Sequence, residues 1–244
     1  MDDLALNLTP ELIPDLIPDL IPDLIFKNLG QQDYAKTLLA MQHFTEERIA
    51  LTRNLSKNIA PPVSQEAAPK ISDEIWFCEH PAVFTYGKFG DLSHILNAKN
   101  IPVIPTDRGG QVTYHGPGQL MIYTLINLKQ RKIGVKAWVT QLEDWIIQLL
   151  KQFNLTGERE TGKPGIYINH RKICSIGLKI KNGCCYHGAA LNIDMDLWPF
   201  TQINPCGYAG QPITDLVREI KISGGNAHNI TPEGIIQKLQ GLSK

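Results

Sequence analysis

The segment from Lys172 to Asp194, KICSIGLKIKNGCCYHGAALNID, constrains this chain more than any other. It reads as two strands joined at Asn182-Gly183, because both turn residues tolerate the positive φ that a two-residue type I′ turn requires. Before the turn, Ile176, Leu178 and Ile180 alternate with Gly177, Lys179 and Lys181; after it, Cys185, His187, Ala189, Leu191 and Ile193 share one parity. A two-residue loop sets the register, with Lys181 facing Cys184 and Gly177 facing Gly188. Two facing glycines leave bare backbone, which suits close approach by a ligand or by another stretch of chain. The same parity places Lys172 with Ile176 and Leu178, on the face opposite the glycine strip. A bulge near Cys174–Ser175, or action from the strand's end, would reconcile a functional Lys172 with that strip.

The 244 residues suffice for one large domain or two small ones. No apolar run approaches the ~20 residues that span a bilayer. Formal net charge is +0, so the whole-molecule field draws in neither nucleic acid nor an anionic membrane. The five cysteines show no CxxC spacing and read as reduced thiols rather than a disulfide framework. Residues 1–26 hold six carboxylates and no Lys or Arg, unlike a targeting segment, so the expected location is the cytoplasm. Residues 12–23 are three copies of Leu-Ile-Pro-Asp, and proline at every fourth place forbids a regular helix or a central strand. The expected organisation is an extended or disordered arm over 1–25 and one folded domain over 26–244, with a flexible Pro-containing loop at about 54–72.

Apolar spacing predicts a helix over 31–52, through Tyr34, Leu38 and Met41, and a clearer one over 134–153, from Val135 to Phe153. Strands are expected within 74–87, broken at His80-Pro81, and at 101–104, 119–128 and 165–169, followed by the hairpin. A short helix is expected over 212–220. Thr231-Pro232-Glu233 supplies a cap, an N1 proline and a first-turn acid for a last helix reaching about Gln240. Strands and helices mix without βαβ regularity. The predicted class is therefore α+β, with a mixed, largely antiparallel sheet and flanking helices.

Three features can carry chemistry. Asp107 to Gln119, DRGGQVTYHGPGQ, combines turn-permitting glycines with Arg108 and His115 but lacks the P-loop pattern. Asn204-Pro-Cys-Gly-Tyr-Ala-Gly210 places Cys206 between turn formers, as a loop thiol. Lys172 either snorkels to water or, if buried, becomes able to act as a base. A metal site is disfavoured: Cys174, Cys184, Cys185, His170 and His187 offer no pair with zinc-ligand spacing, and adjacent cysteines of a strand point to opposite faces.

The segments 107–119, Gly165 to Leu178, His187-Gly-Ala-Ala-Leu-Asn192 and Asn204-Pro-Cys-Gly207 together resemble the octanoyltransferases of lipoate biosynthesis, the lipoate–protein ligase B type. Phe44-Thr45 and Glu79-His-Pro-Ala-Val-Phe-Thr-Tyr-Gly87 resemble that family too. The resemblance runs from about Phe26 to the C-terminus and implies the biotin/lipoate protein ligase-like fold. It implies the first step of protein lipoylation: transfer of an octanoyl group from acyl carrier protein to a lysine of a lipoyl domain. Acceptors would be the lipoyl domains of 2-oxoacid dehydrogenase complexes and the glycine cleavage H protein; no cofactor is implied. Cys206 would carry the acyl group as a thioester, with Lys172 as its acid/base partner. The acyl pocket would be lined by Arg108, Gly109, Gly110, Gln111, Val112, Thr113, Tyr114 and His115, by Ser175, Ile176 and Gly177, and by Gly188, Ala189 and Ala190. From Thr161 through Ile193 there is no Asp or Glu, and Lys179 and Lys181, on the hairpin's outward face, are candidates for docking an acidic carrier.

Overall fold

The computed structural model describes residues 24–57, 71–204 and 210–242, with backbone alone for 54–57. In chain order the elements are β1 (Ile25–Gln31), α1 (Tyr34–Lys57), β2 (Glu74–Glu79), β3 (Val83–Tyr86), β4 (Val103–Pro105), β5 (Val112–His115), β6 (Gln119–Asn127), α2 (Leu128–Arg131), α3 (Val135–Lys151), β7 (Glu158–Glu160), β8 (Lys163–Ile168), β9 (Arg171–Lys181), β10 (Cys184–Asn192), α4 (Leu216–Ile222) and α5 (Pro232–Gly241). Short 3₁₀ turns lie at Leu92–His94 and Trp198–Gln202.

A seven-stranded sheet in the order β1-β2-β6-β10-β9-β8-β7 forms the frame, and β4-β3-β5 form a second, small sheet. In the large sheet only β1 and β2 run parallel; in the small one β3 and β4 do. This is the expected α+β class. Every residue of β6 is buried, so both faces of the central strand must be covered. Leu120, Ile122 and Ile126 pack with Ala189 and Leu191 under the apolar stripe of α3 (Trp138, Leu142, Trp145, Ile146, Leu149) and under α4 and α5. Met121, Tyr123 and Leu125 face the other way with Trp76, Ala190 and Met41 of α1. A third cluster joins Phe84, Val112 and Tyr114 of the small sheet to Phe200 and Ile203.

Several boundaries move for local reasons. Helix α1 starts at Tyr34, because Ile25–Gln31 is a strand pairing with β2; Asp33 caps the helix by accepting from Lys36 N at 2.9 Å. It continues through Lys57, into the expected loop. Residues 58–70, most of that loop, lie outside the described residues, as do 1–23 with the Leu-Ile-Pro-Asp copies. Leu24 already packs against the main core. Within the glycine-rich 107–119 segment, Val112–His115 is a strand rather than loop, because β3 supplies its ladder. Helix α4 begins at Leu216 behind the Asp215 cap, since Pro212 to Thr214 bond to Lys172 instead. Helix α5 has the expected Thr231 cap, whose Oγ1 accepts from Gly234 N at 3.2 Å. Among the described residues, no helix is long and apolar enough to cross a membrane.

Candidate active site

The hairpin has the expected register. Asn182 (φ 51°) and Gly183 (φ 83°) make the turn, Lys181 faces Cys184, and Gly177 faces Gly188. Both glycines are required by close approach. A Cβ on Gly188 would lie 1.9 Å from the carbonyl oxygen of Ile122, and one on Gly177 would lie 3.2 Å from that of Gly109. The pairing of β8 with β9 ends at Ser175, and beyond it the backbone of β9 receives the 108–111 segment: Gly109 N donates to Leu178 O at 2.8 Å. Arg108, 8% exposed, ties that segment to the small sheet by donating to Thr85 O, Thr85 Oγ1 and Gln111 O.

The expected bulge exists, one residue earlier than Cys174. Ile166 pairs with Cys174 but Tyr167 with Lys172, so Ile173 is the extra residue of β9. Ile173 and Cys174 both enter the main core. The parity change turns Lys172 to the glycine-strip side, where it lines one cavity with Ser175, Ile176 and Gly177. Lys172 is 4% exposed, and its ammonium lies 5.3 Å from the centre of the Tyr167 ring. Gly165 (φ 128°) makes room for it, since a Cβ there would stand 3.0 Å from Lys172 Cε and 2.3 Å from Cys174 O. Lys172 N donates to Pro212 O at 2.8 Å, and its carbonyl accepts from Thr214 N at 3.0 Å.

The structure brings the pocket candidates together around one cavity, with one exception. Arg108 to Thr113 and His115 cover the cavity, and Ser175, Ile176, Gly177, Gly188, Ala189 and Ala190 line it from below. Tyr114 does not line it. Alternation along β5 sends its ring into the third cluster, 5.6 Å from Phe84 and 5.4 Å from Phe200 between ring centres.

The wall away from Lys172 escaped the sequence reading. It consists of Tyr34, Met121, Tyr123 and His187 beside His115. His80 Nδ1 donates to Gln32 O (2.7 Å), which leaves its Nε2 to accept from Tyr123 Oη (2.7 Å), while His115 Nδ1 donates to Gln119 Oε1 at 2.8 Å. Burial lowers the pKa of His80 and His115 and raises those of Tyr34 and Tyr123, so this wall is neutral near pH 7. The signal was the odd-numbered face of β6, legible only once β10 is known to be its partner.

His187 also departs from its expected parity. Its left-handed backbone (φ 62°) interrupts the β6–β10 ladder, which runs from Cys185↔Ile126 to Gly188↔Tyr123, and the Thr124 hydroxyl satisfies its carbonyl at 3.1 Å. The ring therefore leaves the face of Cys185 and Ala189 and reaches Asp107 Oδ1 at 2.9 Å; Tyr186 Oη donates to the other carboxylate oxygen. Burial lowers the His187 pKa despite Asp107, so the imidazole is neutral and donates through Nε2–H. Burial pushes the Asp107 carboxyl up, but the hydrogen bonds from His187 and Tyr186 outweigh it and hold the group well below the usual carboxylate range.

Cys206 lies outside the described residues. Of the described residues flanking it, Asn204 N donates to His94 O at 2.8 Å, and Pro212 O accepts from Lys172 N. The four described cysteines are all buried, and desolvation raises Cys78, Cys174 and Cys185 to about 12. Lys181, a docking candidate, pairs with Glu46 at 2.7 Å.

A strand–loop–strand cavity holding a buried lysine, set on this mixed sheet, defines a class. Residues 45–241 match the lipoyl protein ligase A/B catalytic domain, and the chain belongs to that family. Within the family it is 50% identical over 184 residues to an octanoyltransferase of Shewanella sp. (strain W3-18-1), covering 75% of this chain and 76% of that protein. Identity to an octanoyltransferase of Shewanella oneidensis is also 50% over 184 residues, with the same shares of each chain. At this identity over three quarters of the length, the chain is an acyltransferase. Solved structures share the fold. P. falciparum LipL1 in complex with lipoate gives a TM-score of 0.62 at 16% identity over 90% of this chain, which spans 61% of that protein. Lipoate-protein ligase A bound with ATP gives 0.60 at 12% identity, over 91% of this chain and 83% of that one.

Proposed function

We propose that this chain transfers an octanoyl group from octanoyl-acyl carrier protein to the lysine of a lipoyl domain, through a Cys206 thioester and with Lys172 as acid/base partner. The observation that carries the reading is the place of Lys172. It is buried at one end of a cavity with a small-residue floor, and its backbone is bonded to Pro212, six residues after Cys206. Six residues reach at most ~20 Å, so chain length permits the loop thiol to meet the ammonium.

The chemistry follows from that pairing. An ordinary thiol of pKa ~8.5 is only about 3% thiolate at pH 7; lowering it to ~7 raises the thiolate roughly fifteenfold for ~2 kcal/mol of differential stabilisation. An ammonium beside the sulfur supplies such stabilisation, or a neutral lysine takes the proton. The Cys206 thiolate attacks the donor's thioester carbonyl; the C–S bond to the carrier breaks, and the departing sulfur takes a proton. The acceptor amine then attacks the Cys206 thioester, the C–S bond to Cys206 breaks, the amine gives up a proton, and the thiol is regenerated. Thioester to thioester is nearly balanced and thioester to amide runs downhill, so neither ATP nor a cofactor enters. Residues 26–244 act as one catalytic domain in this reading, in the cytoplasm. The acceptors are lipoyl domains of 2-oxoacid dehydrogenase complexes and the glycine cleavage H protein.

An ATP-dependent ligase on the same fold would adenylate its substrate and would not depend on a cysteine. Intact-mass measurement after incubation with octanoyl-acyl carrier protein separates the two. We expect an octanoyl adduct that maps to Cys206 and is lost in Cys206→Ala. Full activity in that variant, or a strict need for ATP, would sink the reading.

A further inference from the structure

A second cavity, of about 360 Å³, opens beside the first. The two share Gly109, Gly110, Gln111, Lys172, Ile176 and Gly177, so Lys172 and Gln111 stand at their junction. Beyond that junction the second cavity is apolar, walled by Val135, Val139, Pro164, Tyr167 and Leu178. Phe89 is 69% exposed and Val135 45% exposed at its rim, an unusual outlay of large apolar groups for a solvated edge. Among the described residues no carboxylate lines it; its ammonium groups are Lys172 and Lys163, the latter paired with Glu160 at 2.9 Å, and Lys88 lies 5.9 Å from the centre of the Phe89 ring. At the junction, the side-chain oxygen of Gln111 is buried and meets no hydrogen-bond donor among the described residues. A buried acceptor without a donor costs about 1–3 kcal/mol, which a ligand N–H placed there would recover.

We propose that this cavity takes the flexible, amide-containing arm through which the acyl thioester is linked to its carrier, and that Gln111 Oε1 accepts from the arm's first amide N–H. The inference rests on the acyl-transfer reading above and adds to it the route of the donor. Continuity supports it. With the acyl chain over the glycine strip and the reacting carbonyl at Lys172, the leaving sulfur points to the junction, and the arm must leave through an adjoining space. Charge supports it as well. No carboxylate among the described residues lines the channel, and Lys88 stands beside Phe89 at its rim, which suits the arm of an anionic carrier.

The test compares three donors by the rate at which the octanoyl adduct forms: octanoyl-acyl carrier protein, S-octanoyl-N-acetylcysteamine, which keeps the first amide, and S-octanoyl ethanethiol, which has none. Val139→Trp fills the channel. It should raise the KM for the carrier at least tenfold, leave adduct formation from S-octanoyl ethanethiol within twofold, and leave the KM for a lipoyl-domain acceptor unchanged. The ethanethiol rate doubles as the control for folding. Gln111→Leu should cut the preference for the N-acetylcysteamine donor over the ethanethiol donor by about fivefold. An unchanged carrier KM in Val139→Trp, a rise in the acceptor's KM instead, or an equal loss with all three donors would overturn the proposal. A wild-type protein that forms no adduct with any thioester would overturn the acyl-transfer reading itself, and this inference with it.

Discussion

The two faces of β6, β9 and β10 are built from the same strands and do opposite things. On one, Leu120, Ile122, Ile126, Ala189 and Leu191 meet the apolar stripe of α3, and the layer is sealed. On the other, neighbouring positions carry Ser175, Gly177, Gly188 and Ala190, with Met121 and Tyr123 beyond them, and a cavity results. No gap between strands is needed to make it. Omitting side chains at facing positions of two paired strands leaves a trough, which the 108–113 segment roofs through Gly109 and Arg108. The sealed face supplies the burial that keeps the trough rigid, at roughly 25 cal/mol per Å² of apolar surface removed from water.

That division of labour can be broken from either side. Lys172→Ala, on the open face, should lower acyl transfer by ~10²–10⁴ while the urea midpoint stays close to that of wild type. Leu149→Ala, fully buried on the sealed face, should cost about 2–5 kcal/mol of unfolding free energy yet leave the rate per folded molecule unchanged. Parallel transfer assays and urea titrations check both. If each variant lost activity and stability together, the faces would not be separable.

The thiols make the same contrast on a smaller scale. Cys174 and Cys185 sit in the main core and Cys78 in the layer under α1, each raised by burial to about 12. At pH 8 about one in 10⁴ of such groups is thiolate. Cys184 is raised as well, chiefly by desolvation. Iodoacetamide at pH 8, followed by peptide mass mapping, should therefore label Cys206 and spare the other four until urea unfolds the chain. Labelling of Cys174 or Cys185 in the native protein would show that the sealed layer opens.

What was legible in the sequence follows from how local its cause is. The Asn182-Gly183 turn is a two-residue property, and it carried the Gly177–Gly188 register with it. The α3 stripe and the Thr231 cap are equally local. The mismatch between Lys172 and the glycine strip left two readings, a bulge near Cys174–Ser175 or action from the strand's end; the ladder decides for a bulge and puts it at Ile173, a position no local signal marks. Strand β1 was missed because a parallel edge strand depends on β2, some fifty residues away. Tyr34 and Tyr123 were missed as pocket residues because each faces the site only through a long-range pairing. His187 was assigned by strict alternation, and a left-handed backbone overrode it. Tyr114 was placed in the pocket with its whole motif, whereas a strand sends neighbouring residues to opposite sides.

Gly165 joins the faces at the point where the bulge turns Lys172. Its φ of 128° strains any side chain, and a Cβ would press on both Cys174 O and Lys172 Cε. Gly165→Ala should therefore cost about 1–3 kcal/mol and slow the loading of Cys206 by roughly tenfold, through displacement of the lysine. A loss of stability with unaltered loading would mean that Lys172 adapts.

The smallest effect concerns the polar end of the open face. Asp107 is held ionised by donors from His187 and Tyr186, and its carboxyl pKa is lowered from 3.8. A depressed folded-state pKa stabilises the fold fully above the unfolded value, and that stabilisation fades as pH falls through the folded value. With its side chain 32% exposed, solvent screening limits the net contribution to about 1 kcal/mol. Asp107→Asn should accordingly be less stable than wild type by a constant amount from pH 7 down to about pH 5, and the difference should narrow below pH 3.8. Urea titrations at pH 7, 5 and 3.5 measure this. A gap that widened in acid would mean that the native carboxyl holds its proton more tightly than the unfolded one. His187 would then not be the neutral donor that closes this end of the trough.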